Sequence, residues 1–324
     1  MPSGTSRMSK IKVFVLYHKE SVVYRSDCFE PMQTGCAIAS CDLGLLRDDT
    51  GDNISRRNGN YAELSGNYWV WKNYLPAHPE VEYIGFCHYR RFLEFDALPR
   101  HEGMPFVDLA GYRSFAKGFS QRYAEARILP RIAGADIVLP GVSLSGSRME
   151  EVFCTHHPAV ELHRLKSIIA RDWPDYVPAL EAAMEDRKAF LCLNYVMRRD
   201  CFESFMAWMF DILFKLERES DWSGYHEYMD EKVAAYLAEV FFNVWLRHAC
   251  GLRDLKLLQC NSFLLCPDEE VHWYGPALFQ LRLFATAVRS LFDGTFCTRV
   301  SRRLEQWRQA RALRARLAEG GKNE

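Results

Sequence analysis

The segment EYIGFC (82–87) reads as a strand buried on both faces, and it runs directly into His88, Tyr89, Arg90 and Arg91. A buried strand that ends on two guanidinium groups must solvate that charge or pair it. Arginine presents planar N–H donors that match phosphate oxygens. A nucleotide diphosphate, gaining charge as it leaves, is therefore one partner for Arg90 and Arg91. An ion pair with Asp or Glu on another element is the other, and the residues leave both open.

Other positions offer complementary chemistry. Tyr17, His18 and Lys19 follow a first apolar run, Lys12 to Leu16. Residues after such strands line the ligand crevice of open α/β sheets, and a solvated turn is the plain alternative. Glu239 lies among Leu237, Ala238, Val240 and Phe241, where a carboxylate needs a partner or has its pKa raised. That makes it a candidate general base, with pairing to Arg90, Arg91 or Lys232 as the competing reading. Asn194, inside the apolar FLCLNYVM (190–197), must be hydrogen-bonded when buried and would read sugar hydroxyls if it faces a cleft. His156 and His157 precede Pro158; sugar contact, proton transfer and simple packing are all open to them.

These residues need elements to carry them. Lys12 to Leu16, Glu82 to Cys87, ADIVLP (135–140) and Phe190 to Met197 read as core strands. RDDTGDNISRRNGN (47–60) has the Asp, Asn, Gly and Ser content of a loop. Tyr61 to Tyr74 then places Tyr61, Leu64, Tyr68 and Trp71 at helical spacing, with Glu63, Asn67 and Trp69 pointing elsewhere, and Pro76 and Pro79 ending the helix. Ser147 with Glu150 fits a capping box. Cys201 to Leu216 and EKVAAYLAEVFFNVWLRH (231–248) read as long helices. Strands alternating with helices predict an α/β fold.

Composition narrows the class. The chain has 324 residues, 48% of them hydrophobic, enough for a compact enzyme-sized core. A formal net charge of -1 gives no global field for a polyanion, so nucleic acid is not an expected partner. The apolar stretch Val13 to Tyr17 is too short for a signal sequence, no run approaches the roughly 18 apolar residues of a spanning helix, and a cytoplasmic location is expected. The 11 cysteines are odd in number and scattered without a CxxC pair, which predicts reduced thiols. Cys28, Cys36 and Cys41 with Asp42 lack the paired spacing of a metal site.

In order and spacing, DDTGDNIS, NYAELSGNYWVWKN, YIGFCHYRRF, ADIVLP, FLCLNYVM and AYLAEVFFNVWL together resemble a family of bacterial polysaccharide galactofuranosyltransferases long described as a domain of unknown function. The resemblance runs from about Lys12 to Leu265. It implies a GT-A-like, Rossmann-type mixed sheet flanked by helices; a catalytic domain is expected over 10–270 and, from the pattern beyond it, a helical extension over 271–324. It also implies a transferase that moves galactofuranose from UDP-galactofuranose to a lipid-linked acceptor in capsule, O-antigen or exopolysaccharide assembly. The matching motifs imply that His18, Asp52, Asn53, Glu63, Trp69, Trp71, His88, Tyr89, Arg90, Arg91, Asn194 and Glu239 belong to the site, and their roles are assigned from their chemistry: Glu239, Asp52 and His88 are expected at the reacting atoms. His18, Asn53, Glu63, Trp69, Trp71, Tyr89, Arg90 and Arg91 are expected at the donor, and His157 and Asn194 at the acceptor. Asp52 and Asp136 are alternatives to Glu239 as base. A non-catalytic carbohydrate-binding module and a nucleotide-sugar hydrolase are the rival classes; there is no Gly-rich phosphate loop of the P-loop type.

One departure from GT-A enzymes matters. Where they place Asp-x-Asp around a divalent ion, this chain has HYRR after YIGFC. No metal is therefore expected to be required, with manganese or magnesium on Asp49 and Asp52 as the alternative. From Arg299 onward, Arg302, Arg303, Arg308, Arg311, Arg314 and Arg316 interleave with Val300, Leu304, Trp307, Leu313 and Leu317. This is the pattern of a basic amphipathic helix able to lie on an anionic membrane surface, or of a solvated or oligomer-contact helix.

Overall fold

The computed structural model describes residues 9–96, 108–144, 147–190, 193–223, 225 and 231–268. The expected extension over 271–324, with its basic helix, lies outside them. The strands are β1 Ile11–Tyr17, β2 Phe29–Gln33, β3 Leu46–Arg47, β4 Tyr83–His88, β5 Arg91–Glu94, β6 Asp108–Gly111, β7 Ile137–Pro140, β8 Ser143–Leu144, β9 Lys188–Ala189, β10 Tyr195–Arg198 and β11 Leu257–Cys266. Nine of them form one mixed sheet in the order β3-β2-β1-β4-β10-β7-β11-β5, with β6 also on β11. β1, β2, β3, β4 and β7 share one direction, and antiparallel β10 is inserted between β4 and β7.

Both faces of the central strands are covered, which is why they read as continuous apolar runs. From β1, Phe14 and Leu16 enter one core with Ile84 and Phe86 of β4, under the helices Leu64–Trp69, Arg199–Glu219 and Val233–Leu252. Val13, Val15 and Tyr17 enter the other, under the helices between Tyr112 and Ile132. β11 turns the sheet over: Leu257 to Cys260 pair with β7, and Asn261 to Leu264 pair with β5.

Three local expectations are corrected. The stretch Tyr61 to Tyr74 is not one helix but Asn58–Tyr61, then Leu64–Trp69, then a π-helical Val70–Tyr74 and a last turn Leu75–Ala77 that contains Pro76. Pro76 has no N–H to give to the carbonyl four residues back, and the wide turn precedes it. FLCLNYVM is a strand only from Tyr195, because Leu193 sits at φ 38, outside the extended region. The helix after the third core strand starts at Met149, so Glu151 rather than Glu150 reaches back to the cap N–H, that of Arg148, at 3.3 Å. Lys166 takes Glu150 at 2.7 Å.

Candidate functional site

Parallel pairing sets Leu16 beside His88, so the chain leaves β1 and β4 at the same sheet edge. Alternation turns His18 and His88 to the face of Leu16 and Phe86, and their rings lie 5.9 Å apart. Tyr89 stands 4.2 Å from the His88 ring and 5.7 Å from that of His18, and Arg90 lies 5.7 Å over the Tyr89 ring.

Helix Leu64–Trp69 roofs this edge because Gly66 permits close approach. A Cβ there would meet Thr34 at 2.8 Å and Leu16 at 3.3 Å. The approach brings Glu63 within electrostatic reach of His18 and carries Asn67 across to Tyr195 of β10, 3.1 Å away. Behind the roof, fully buried Asp48 accepts from Gly35 and Cys36 N–H and from the Ser55 and Ser65 hydroxyls, pinning the loop to β2.

Helix Val233–Leu252 closes the other side, tied to the roof by Asn60, whose side chain donates to Glu231 O at 2.8 Å. Lys232 at its N-cap acts electrostatically on both His18 and His88. Tyr236 stacks on His157 at 4.2 Å, and Glu239 shares this helix face, about 10 Å along the axis from Lys232. One turn further, Asn243 accepts from Phe190 N–H and donates to Phe190 O, which anchors the segment leading to Asn194. Asn194 directly precedes the pair Tyr195 and Phe86, which sets it level with Cys87, beside His88.

The electrostatics are cationic. His88 is pushed down to about 2 by burial first, then by Arg91, Arg90, His18 and Lys232. It is therefore neutral at physiological pH, and its Nδ1 accepts the Arg90 N–H at 3.3 Å, which places the ring proton on Nε2. His18 is also lowered, chiefly by desolvation; Glu63 opposes this, and Lys232, Lys19 and Arg90 reinforce it.

Two features single out this edge as the candidate site. Arg90 Nε and Asn194 Nδ2 are buried N–H donors without a partner among the described residues, and buried polar groups are otherwise almost always bonded. The described non-glycine residues at positive φ, Ala62 (φ 44) and Leu193 (φ 38), directly precede Glu63 and Asn194, and backbone strain of this kind clusters at functional sites. Ala62, at ψ −129, adopts a conformation suited to glycine. Ala62→Gly is expected to raise stability by about 1 kcal/mol, strain relief outweighing the added chain entropy. A urea midpoint that rises at constant m would register this, and a lowered midpoint would show that Ala62 carries no strain.

Several expected residues stand elsewhere. Asp52, exposed, accepts from Tyr68 Oη at 3.1 Å, and with Asn53, Arg57, Phe214 and Glu217 it lines a separate groove of about 510 Å³. No described contact joins Asp52 or Asn53 to the histidines, because the loop that carries them is held on the outer side of the roof by Asn73. Trp69 is a core residue donating to Thr50 O, and Trp71 stacks on Phe210 at 6.0 Å. Asp136 precedes β7 at the opposite sheet edge, paired with Arg198 at 2.8 Å, so it is no base for this site. Asp49 is held by Arg47, 2.7 Å away. The described cysteines are free thiols, and among the described residues no group of His, Cys, Asp and Glu is arranged to hold a metal. No helix of the described residues is long and apolar enough to cross a membrane.

Sequence reasoning named Lys232 only as an ion-pair partner of Glu239, and Asn67 only as a residue off the apolar stripe; the structure sets Lys232 within electrostatic reach of both histidines and Asn67 one turn after Glu63, against Tyr195.

Comparison with known proteins supplies the frame for this geometry. The apo structure of the WbbM bifunctional glycosyltransferase is similar, with a TM-score of 0.71 and 26% sequence identity over 79% of this chain. The chain covers 45% of that protein, less than half its length. No curated protein matches. The fold is the GT-A-like α/β arrangement, a mixed sheet flanked by helices. The family model described as "Domain of unknown function (DUF4422)" matches residues 12–250, a span that holds the cluster from His18 to Lys232, and the chain belongs to that family.

Proposed function

We propose that the chain is a glycosyltransferase that moves a sugar, galactofuranose from UDP-galactofuranose, onto a lipid-linked polysaccharide acceptor. The observation that carries this reading is the convergence of His18, His88, Arg90, Arg91 and Lys232 at one sheet edge, with buried N–H groups on Arg90 and Asn194 that have no acceptor among the described residues. Such a site fits an oxygen-rich anion, and its neutral amide and carboxylates fit the hydroxyls attached to it. Likeness to a glycosyltransferase supports it further.

The chemistry is a direct displacement with inversion. An acceptor hydroxyl attacks the anomeric carbon, the bond from that carbon to the diphosphate oxygen breaks, and Glu239 takes the hydroxyl proton. The electron pair leaves with the diphosphate, whose growing charge Arg90, Arg91 and Lys232 offset. His88, neutral with its proton on Nε2, contributes a hydrogen bond rather than a charge. Asn194, and His157 beside Tyr236, hold the acceptor. The basic segment beyond Arg299 would bring the enzyme to the inner membrane face where that acceptor is presented.

Incubation with a panel of UDP-sugars and synthetic lipid-linked acceptors, read by mass spectrometry and NMR, tests the reading. UDP released only in the presence of acceptor supports transfer. Release without it would mean a hydrolase, and glycan binding without any UDP release a binding module. Two arginines and a lysine would neutralise the diphosphate without a metal, so activity is expected to survive EDTA with less than about a twofold loss. Full loss restored by manganese would reject that.

A further inference from the structure

Asn67 lies above β4 in the roof of the site. Helix Leu64–Trp69 packs on β1 and β2 through Gly66, yet the Asn67 amide reaches Tyr195 on β10, on the far side of β4. It therefore crosses the face of β4 at the level of Phe86 and His88. Asn67 is 2% exposed and Tyr195 fully buried.

The hydrogen-bond count fixes what this amide offers. With Nδ2 donating to the Tyr195 oxygen, Asn67 Oδ1 has no partner, and the phenol proton has no acceptor among the described residues. Turning the amide over lets the phenol donate to Oδ1. That satisfies both of these groups and turns the Asn67 NH2 to the place that Oδ1 held. As first placed, one end of the amide is anchored by Tyr195 and the other has no partner among the described residues. Turned over, the amide keeps its anchor on Tyr195 and offers its NH2 where Oδ1 stood, to an oxygen of a ligand.

We infer that Asn67, held by Tyr195, donates a hydrogen bond to an oxygen of the transferred sugar and so helps to select the donor. This rests on the glycosyltransferase reading above. The cations Arg90, Arg91 and Lys232 claim the diphosphate, and the neutral amide reads the uncharged part beside it. A site whose buried donor loses its acceptor discriminates strongly against the analogue that lacks it.

The test compares UDP with UDP-galactofuranose by calorimetry and by kcat and KM. Asn67→Asp and Asn67→Ala are expected to lower kcat/KM and affinity for the sugar nucleotide about 10- to 100-fold while leaving UDP affinity within about twofold. Tyr195→Phe, which frees the amide to rotate, is expected to give a smaller loss in the same direction. Equal weakening of UDP and UDP-galactofuranose would place Asn67 on the phosphates or in a purely structural role, and no change in either would remove it from the site; both overturn the assignment. Thermal unfolding monitors folding, and Asn67→Ser gives the same ratio should the larger changes prevent it. If the unaltered chain binds no nucleotide sugar, the function itself falls. If it binds and transfers while the Asn67 variants keep its ratio, only this inference does.

Discussion

Glu239→Gln is expected to lower kcat about 100- to 10,000-fold, the range a positioned general base contributes, with KM for the donor nearly unchanged. The carboxylate shares its helix face with Lys232 and Tyr236, while Leu237, Ala238, Val240 and Phe241 turn into the core. Removing its charge but keeping its shape therefore leaves the helix packing intact, and thermal unfolding should match the parent. Steady-state transfer assays across pH check the role. A loss in kcat that an added small base such as azide or formate partly restores would mark Glu239 as the base. Retained turnover would move that role off this helix, since Asp136 lies on the opposite edge and Asp52 in a separate groove.

Arg90→Ala and Arg91→Ala are each expected to weaken UDP binding about 10- to 100-fold, the worth of roughly 1.5–3 kcal/mol for a charge-assisted hydrogen bond. The lysine variants should recover only part of this, because a point charge does not reproduce the planar fork. Calorimetric titration with UDP reads the effect without needing the acceptor. Arg90 also carries backbone duties, its carbonyl accepting Leu265 N–H at 2.7 Å, and these survive side-chain truncation. Unchanged UDP affinity in both variants would mean that the arginines serve internal ion pairs, the competing reading of HYRR, and the diphosphate site would have to be sought elsewhere.

The part of the site legible in the sequence was the part built from strand ends. His18, His88, Tyr89, Arg90 and Arg91 each follow an apolar run that the sheet buries on both faces, so a polar residue there can only stand at its edge. Glu239 was singled out for a related reason, a carboxylate among core residues, and the structure sets it on the helix face of Lys232 and Tyr236 while its neighbours pack inward. Loop residues were not legible. DDTGDNIS was read as a contributor through Asp52 and Asn53, whereas the residue that matters to the architecture is Asp48, whose four partners come from positions as far as Ser65. Trp69 and Trp71 were expected at the donor from the resemblance; Trp69 is buried and donates to Thr50 O, and Trp71, half-buried, stacks on Phe210, neighbours that spacing along one segment does not show.

Sequence alone determined the alternation of buried strands and amphipathic helices and the chemical types that stand at strand ends, because burial and backbone hydrogen bonding act on each segment through its own pattern of residues. Only the tertiary structure decided which ends meet. Antiparallel β10 between β4 and β7 brings Asn194 beside His88, Gly66 lets the roof carry Glu63 and Asn67 over β4, and a contact between Asn60 and Glu231 brings Lys232 to the histidines. Those are contacts between residues up to about 170 positions apart, as for Asn60 and Glu231 at 171. No local periodicity encodes them, since they depend on the order and direction in which separate strands are packed.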